Sequence, residues 1–183
     1  MSDPMSDPMS NPSKSVEPVA LLFKDDGETP NNPRLPLVLY RGAVDVSGRD
    51  PAANFEKIFG SHGWSDGWRN GIFDFLHFHI QGHEVLGIAR GSAKVEFGGA
   101  AGEIVELAAG DVAVLPAGCG HRRVSASRDL LVVGAYPPKS SSEHQTPNRV
   151  SHGAAVAAIA GTPLPPQDPV YGKDGPLMRL WRA

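Results

Sequence analysis

Between Gly71 and Tyr136, short apolar and β-branched runs alternate with glycine clusters. They recur roughly every 8–12 residues, the spacing of a β-sandwich or barrel. Strands are expected at 72–79, 84–90, 92–97, 103–107, 111–115, 121–125 and 129–136, with Gly98-Gly99-Ala100-Ala101-Gly102 as a hairpin turn. Many short antiparallel strands around one core solve the problem of exposed sheet edges by closing into a barrel or jelly roll. The fold class expected is therefore all-β, with one or two short helices.

Outside that region the pattern changes. The run Val19 to Phe23 reads as a first strand, and Leu37 to Tyr40 as a second. Between them, Gly27, Pro30, Pro33 and Pro36 predict loop. Asp50-Pro51 starts a helix, because Asp suits the N-cap and Pro the first helical position. Phe55, Ile58 and Phe59 give that helix one apolar face over about 51–59, and Gly60 ends it. Trp64 and Trp68 then fall in a glycine-containing loop, either as a lid over the barrel mouth or as plain packing. After Tyr136, residues 137–151 read as loop, and 153–160 as a short helix or an extended stretch. Residues 162–176 hold five prolines and two glycines, so they are expected to be extended or turn. Leu177, Leu180 and Trp181 are apolar and should dock on the body or on a second subunit. Residues 1–15 repeat MSDP and lack the apolar residues to build a core, which predicts a disordered tail. The expected organisation is thus a tail (1–15), N-terminal strands and a helix packed on the barrel (16–70), the barrel core (71–136) and a proline-rich extension (137–183).

Composition narrows the partners. The 183-residue chain is 40% hydrophobic with a formal net charge of −3, and its pI is near 6.1. The 17 basic residues are scattered among 20 acidic ones. That excludes nucleic acid or an anionic membrane as the main partner, since both demand clustered Lys and Arg. A single cysteine, Cys119, rules out an intramolecular disulfide. The first residues carry no signal-peptide pattern, and no apolar run is long enough to span a bilayer. A cytoplasmic protein is expected.

Candidate chemistry concentrates in two stretches. In the first, His77 and His79 are two residues apart, so a strand presents both imidazoles on one side, their Cα atoms roughly 6.6 Å apart. That separation suits convergence on one metal ion. Phe73 and Phe75 share the same face, and Glu84 follows a turn long enough to bring a carboxylate alongside. In the second stretch, Val112 to Pro116 alternates as a strand, Pro116 and the following glycines turn the chain, and His121 starts the return strand as a fourth donor.

These stretches resemble the paired motifs of the cupin superfamily. The first motif is matched at every fixed position, by Gly71, His77, His79, Glu84 and Gly91. The second is matched by Gly110, Pro116, Gly118 and His121; Ser125 stands where the pattern has Asn, a position that does not ligate metal. The resemblance implies a jelly-roll barrel, or double-stranded β-helix, and a divalent ion (Fe, Mn, Ni, Co or Zn) on His77, His79, Glu84 and His121. It also marks Glu84 as the candidate catalytic group, because cupin carboxylates have been suggested to detach and act as a base. The run Leu164 to Gly172, with Phe23-Lys24-Asp25-Asp26-Gly27, is similar to the YjlB-like cupins.

Several positions admit two readings. His77 and His79 could be core histidines bonded to carbonyls. His83 neighbours Glu84 and faces the other way in a strand, as a surface or outer-shell residue; a shifted ligand set of His79, His83 and His121 is the alternative. Cys119 is a small turn residue or a reactive thiol. Arg90 and Glu96 read as solvated, while Leu86, Ile88 and Tyr136 are candidate pocket walls. Three neutral imidazoles, a carboxylate and a divalent ion leave a positive site, which favours a small anionic ligand. That is compatible with a metal-dependent dioxygenase or isomerase, or with a non-catalytic ligand-binding or metal-stabilised module. Ile72, Leu76 and Phe78 form an apolar set on the face away from the histidines, so either the C-terminal extension or a homodimer partner should cover it.

Overall fold

The computed structural model describes residues 16–182, so the tail expected at 1–15 lies outside the described residues. Two short N-terminal strands, β1 (Val19–Leu21) and β2 (Leu37–Tyr40), precede helix α1 (Pro51–Ser61). Then come β3 (Ser65–Asn70), β4 (Glu84–Arg90), β5 (Ser92–Phe97), β6 (Glu103–Ala108), β7 (Val112–Leu115), β8 (His121–Ala126) and β9 (Leu131–Tyr136). Helices α2 (His152–Ala160) and α3 (Pro176–Leu180) close the chain. A six-stranded sheet, ordered β1-β2-β7-β4-β9-β3, faces a three-stranded sheet, β6-β5-β8, and all pairings are antiparallel. Two facing antiparallel sheets with few short helices match the expected all-β, jelly-roll class of fold.

Why the large sheet is apolar on both faces follows from strand alternation. Val38 and Tyr40 of β2, Val85 and Ala89 of β4, Val112 and Val114 of β7, and Val133 and Ala135 of β9 point outward. There they meet Phe55 and Phe59 of α1 and Leu177 and Trp181 of the extension. The intervening residues, Leu37, Leu39, Leu86, Ile88, Ala113, Leu115 and Val132, point between the sheets, against Val95, Phe97 and Leu107. Burying each large side chain contributes roughly 1.5–3 kcal/mol. A one-residue slip would exchange the two cores and turn Glu84 away from the space between the sheets, so packing fixes the register.

Four expectations are corrected. Residues 72–79 form no regular strand. Only His77 and Phe78 make isolated bridges, to His121 and Gln145, because the segment's backbone partners lie on β8, on the loop before it and on the extension, so no continuous ladder forms. The loop expected around Trp68 is strand β3, paired with β9 across a bulge. Its pattern was hidden because its residues are largely exposed polar ones and the single apolar one is half-buried. Gly60 lies inside α1, which runs on to Ser61 with His62 as C-cap. Residues 162–175 are extended or turn as expected, but the one or two short helices expected are three among the described residues, since Pro176 opens α3 at a position suited to a helix start. The undecided stretch 153–160 is helical, capped by Ser151, whose hydroxyl accepts from the Ala154 N–H.

The apolar set expected behind the histidines does not share one face: Ile72 lines the same cavity as the histidines and packs in the core between the sheets, Leu76 is half-buried, and Phe78 is 1% exposed, its backbone bonded to Gln145 of the extension. The extension is itself locked by Asp168. This fully buried carboxylate accepts from the Tyr40 hydroxyl and from the N–H groups of Val170, Tyr171 and Leu177. No helix among the described residues is long and apolar enough to cross a membrane.

Candidate metal centre

Strand β4 turns Glu84 into the space between the sheets, on the face shared with Leu86 and Ile88. His121 opens β8 opposite, after a turn in which Gly118 adopts φ +90° with the Asn31 carbonyl 2.4 Å from where a Cβ would stand. A side chain there would be strained and would clash with backbone. His77 and His79 reach the same space from the irregular segment, which is tied to His121 by reciprocal His77–His121 backbone bonds.

The imidazoles are held in a common way. His77 Nδ1 lies 2.9 Å from the Phe75 carbonyl, His79 Nδ1 2.9 Å from that of Glu143, and His121 Nδ1 3.0 Å from that of Cys119. A carbonyl only accepts, so each Nδ1 carries the proton and each Nε2 is the free donor. His79 Nε2 stands 3.0 Å and His121 Nε2 3.4 Å from the same oxygen, Glu84 Oε2. Among the described residues, His79, Glu84 and His121 are the group of metal-type donors lying within 4.8 Å of one another. His77 lies just outside it, its ring centroid 4.0 Å from that of His121 and 6.4 Å from that of His79.

All four side chains are buried. Burial, reinforced by His121, pushes His77 down to about 3. Burial works against a charged His79 too, but the Glu84 carboxylate outweighs it and holds His79 above its ordinary value. Burial likewise opposes ionised Glu84; His79 and His121 override it and keep the carboxylate well below the usual range. Two Nε2 lone pairs facing one carboxylate oxygen repel unless positive charge lies between them. A proton on His79 supplies that charge, and so would a divalent ion. The donor set thus fits a metal.

Glu84's other oxygen, Oε1, accepts from the Tyr136 hydroxyl at 3.3 Å, and Tyr136 accepts from Trp68 Nε1 at 2.9 Å. The indole lies flat on β9 because residue 134 is glycine; a Cβ there would stand 2.2 Å from the Trp68 ring. Burial, then the Glu84 charge, raises the Tyr136 pKa, so the phenol keeps its proton to donate. The donors line a cavity of about 520 Å³, whose walls include Trp68, Phe73, Leu86, Arg123, Tyr136 and His144. This volume falls within the usual range for small-molecule pockets.

Outward in sequence from this cluster, the chain is 39% identical over 159 residues to the uncharacterised protein YjlB of Bacillus subtilis (strain 168), covering 87% of this chain and 93% of that one. The chain belongs to the YjlB family. No family model matches it. Among solved structures it is similar to an acireductone dioxygenase from Bacillus anthracis with a cadmium ion in its active centre (17% identity, TM-score 0.35, 49% of this chain and 61% of that one). It is also similar to a mutant of Bacillus subtilis oxalate decarboxylase (16% identity, TM-score 0.36, 71% of this chain and 33% of that one). The chain thus spans less than two thirds of the length of either structure.

Other candidates resolve differently in this YjlB-family chain. His83 is neither a surface residue nor turned toward the cluster. It is 1% exposed, its Nδ1 accepts from the Ala117 N–H, its Nε2 donates to the Pro163 carbonyl, and its ring packs on Trp181. Burial pushes it down to about 4, so it is a neutral anchor for the extension. Cys119 is 3% exposed and burial pushes its thiol up to about 12, which makes it an inert core residue. Trp64 is core, whereas Trp68 is cavity wall. Leu86 and Tyr136 line the cavity, while Ile88 sits in the core between the sheets. Glu96 is ion-paired to Arg122 through two contacts of 2.9 and 3.0 Å. Phe73 and Phe75 stack on each other but stay 47% and 41% exposed, so they form a lip and do not enclose the imidazoles. His144 escaped sequence analysis because it lies in an aperiodic loop. Arg123 was legible in principle, two residues beyond His121 on the same strand face.

Proposed function

We propose that this protein is a metal-dependent enzyme acting on a small, oxygen-bearing anion, with a divalent ion held by His79, Glu84 and His121 and with His77 as the fourth donor. The observation that carries this reading is the shared anchoring of the imidazoles: three Nδ1–H groups on backbone carbonyls turn three Nε2 atoms toward one ligand-sized cavity, two of them onto the same Glu84 oxygen. His83, by contrast, spends both ring nitrogens on backbone groups. When bound, the ion supplies Lewis acidity toward an oxygen of the substrate. Around it, Tyr136 holds Glu84 by Oε1 and leaves Oε2 toward the imidazoles. Glu84 lines the cavity and, as the carboxylate of the cluster, is the candidate group to accept a proton from a substrate lying there.

Elemental analysis of untagged protein, followed by titration of chelator-treated protein with Mn(II), Fe(II), Ni(II) and Zn(II), tests the reading. Uptake of about one ion per chain is expected for a single site, and no uptake of any of the four would overturn it. Uptake should also release protons, because the ion competes with the proton that the Glu84 carboxylate favours on His79. The sign follows directly: His79 titrates above its ordinary value of about 6.5, so affinity rises with pH through that raised value and weakens steadily below it. Calorimetry in two buffers of different ionisation heat measures the proton count. Equal heats in both would contradict the displacement.

Tyr136→Phe leaves Glu84 Oε1 and Trp68 Nε1–H without their shared partner. Metal affinity should fall roughly 10–100-fold, as for other groups that orient a ligand, with a stability loss of about 1–2 kcal/mol. Metal titration and thermal melting of the variant read the two effects separately.

A further inference from the structure

We infer that Arg123 is the carboxylate-binding group of this cavity, and that the ligand is a flat, singly charged carboxylate whose other oxygens reach the His79–Glu84–His121 cluster. The inference rests on the metal reading above and names the ligand class of that same site.

Alternation along β8 puts His121 and Arg123 on the cavity side, while Arg122 points outward to Glu96. Arg123 is the one Lys or Arg side chain among the described residues that line the cavity. Its guanidinium is also uncommitted. Arg122 and Arg69 are each gripped by carboxylates at 2.6–3.1 Å. Arg123 has only Asp74 at 3.9 Å, and that carboxylate's side chain is 75% exposed. A planar fork without a bidentate partner, facing a cavity, is ready for a carboxylate.

One small molecule can meet both the His121 and the Arg123 side chain, because residues two apart on a strand have Cα atoms only roughly 6.6 Å apart. The Arg123 N–H bonds the Phe73 carbonyl at 2.8 Å, so the guanidinium's strand runs beside the aromatic lip. There Phe73 stacks on Phe75 with centroids 4.8 Å apart, and His144 lies 5.1 Å from Phe73. With Trp68 and Tyr136 opposite, the walls favour a flat conjugated body over a branched aliphatic one. Asp66 and Asp74 also line the cavity and would repel a second negative charge, hence a singly charged molecule.

The test uses nickel-loaded full-length protein, with 3,4-dihydroxybenzoate and its uncharged methyl ester as probes, titrated calorimetrically at low salt. Wild type should bind the acid on the order of tenfold tighter than the ester, the effect of one charge-assisted contact. Arg123→Gln should bring the two within about twofold, and Arg123→Lys should fall between, since charge remains but the fork is lost. Asp74→Asn should strengthen acid binding by freeing the guanidinium. Nickel content is measured first on every sample. Nickel that washes out of wild type sinks the metal reading and this inference together. Nickel retained with no preference for the acid, with neither probe bound, or with the preference intact in Arg123→Gln overturns this inference alone.

Discussion

Glu84→Gln abolishes metal retention while the fold survives. The substitution keeps the size of the side chain and an acceptor oxygen, so the Tyr136 hydroxyl still has a partner and no cavity opens. What disappears is the negative charge that offsets a dication among buried groups. Changing groups that merely orient a ligand costs metal affinity 10–100-fold, so losing the sole carboxylate of the cluster should cost at least about a hundredfold. The loss shows in thermal stability, because a ligand bound only to the folded state stabilises it by mass action, about 4 kcal/mol at a thousand times its Kd. Wild type should melt higher when Mn(II) or Ni(II) is added, and Glu84→Gln should show at most about a third of that stabilisation. A variant that gains as much stability from metal as wild type would place the ion elsewhere. In the metal-free protein the substitution also removes the group that raises His79, so the variant should release no proton on exposure to metal.

Asp168→Ala should give the largest loss of stability, although it lies outside the cavity. Asp168 is 0% exposed and gathers four donors: the Tyr40 hydroxyl and three backbone N–H groups. Alanine leaves buried polar groups unsatisfied and opens a cavity beside Gly175, whose Cα approaches so closely that a Cβ would stand 2.4 Å from Asp168. Unsatisfied buried donors cost about 1–3 kcal/mol each, and partial relaxation puts the sum at about 3 kcal/mol or more. For a chain of this length that lowers Tm by roughly 6–12 °C. Tyr40→Phe is the calibrating variant. It removes one donor and leaves three N–H groups on the carboxylate, so the loss should be nearer 1 kcal/mol. Melting followed by tryptophan fluorescence reports both changes, since Trp181 docks through Leu177 and α3 on the same outer core. Equal Tm values for Asp168→Ala and wild type would mean that the extension is held by apolar packing alone.

How far the sequence could be read depended on periodicity. Strands β4 to β9 were legible almost to the residue, because each alternates or runs apolar between glycine-marked turns. The candidate donors were legible for a related reason, since the spacing of His77, His79, Glu84 and His121 resembles a known arrangement, and the structure brings all four to one cavity. Segment 72–79 was misread as a strand because its alternation is real while its backbone partners, Arg123, His121, Gln145 and Gly118, are scattered over different elements and form no ladder. Strand β3 was missed because an edge strand with exposed polar residues has no hydrophobic pattern to show.

By itself, then, the sequence determined the class of fold, the order of most strands and the four residues that could meet at an ion. Those depend on local alternation and spacing, which are properties of a one-dimensional chain. The tertiary structure alone decided which ring nitrogens are free, that His83 serves the extension, that Cys119 is buried, and that Arg123 and His144 join the cavity wall. Each of these depends on a partner far along the chain: a carbonyl 64 residues away for His79, and one 80 residues away for His83. Hydrogen-bond direction and burial are set by such distant neighbours, and no local pattern encodes them.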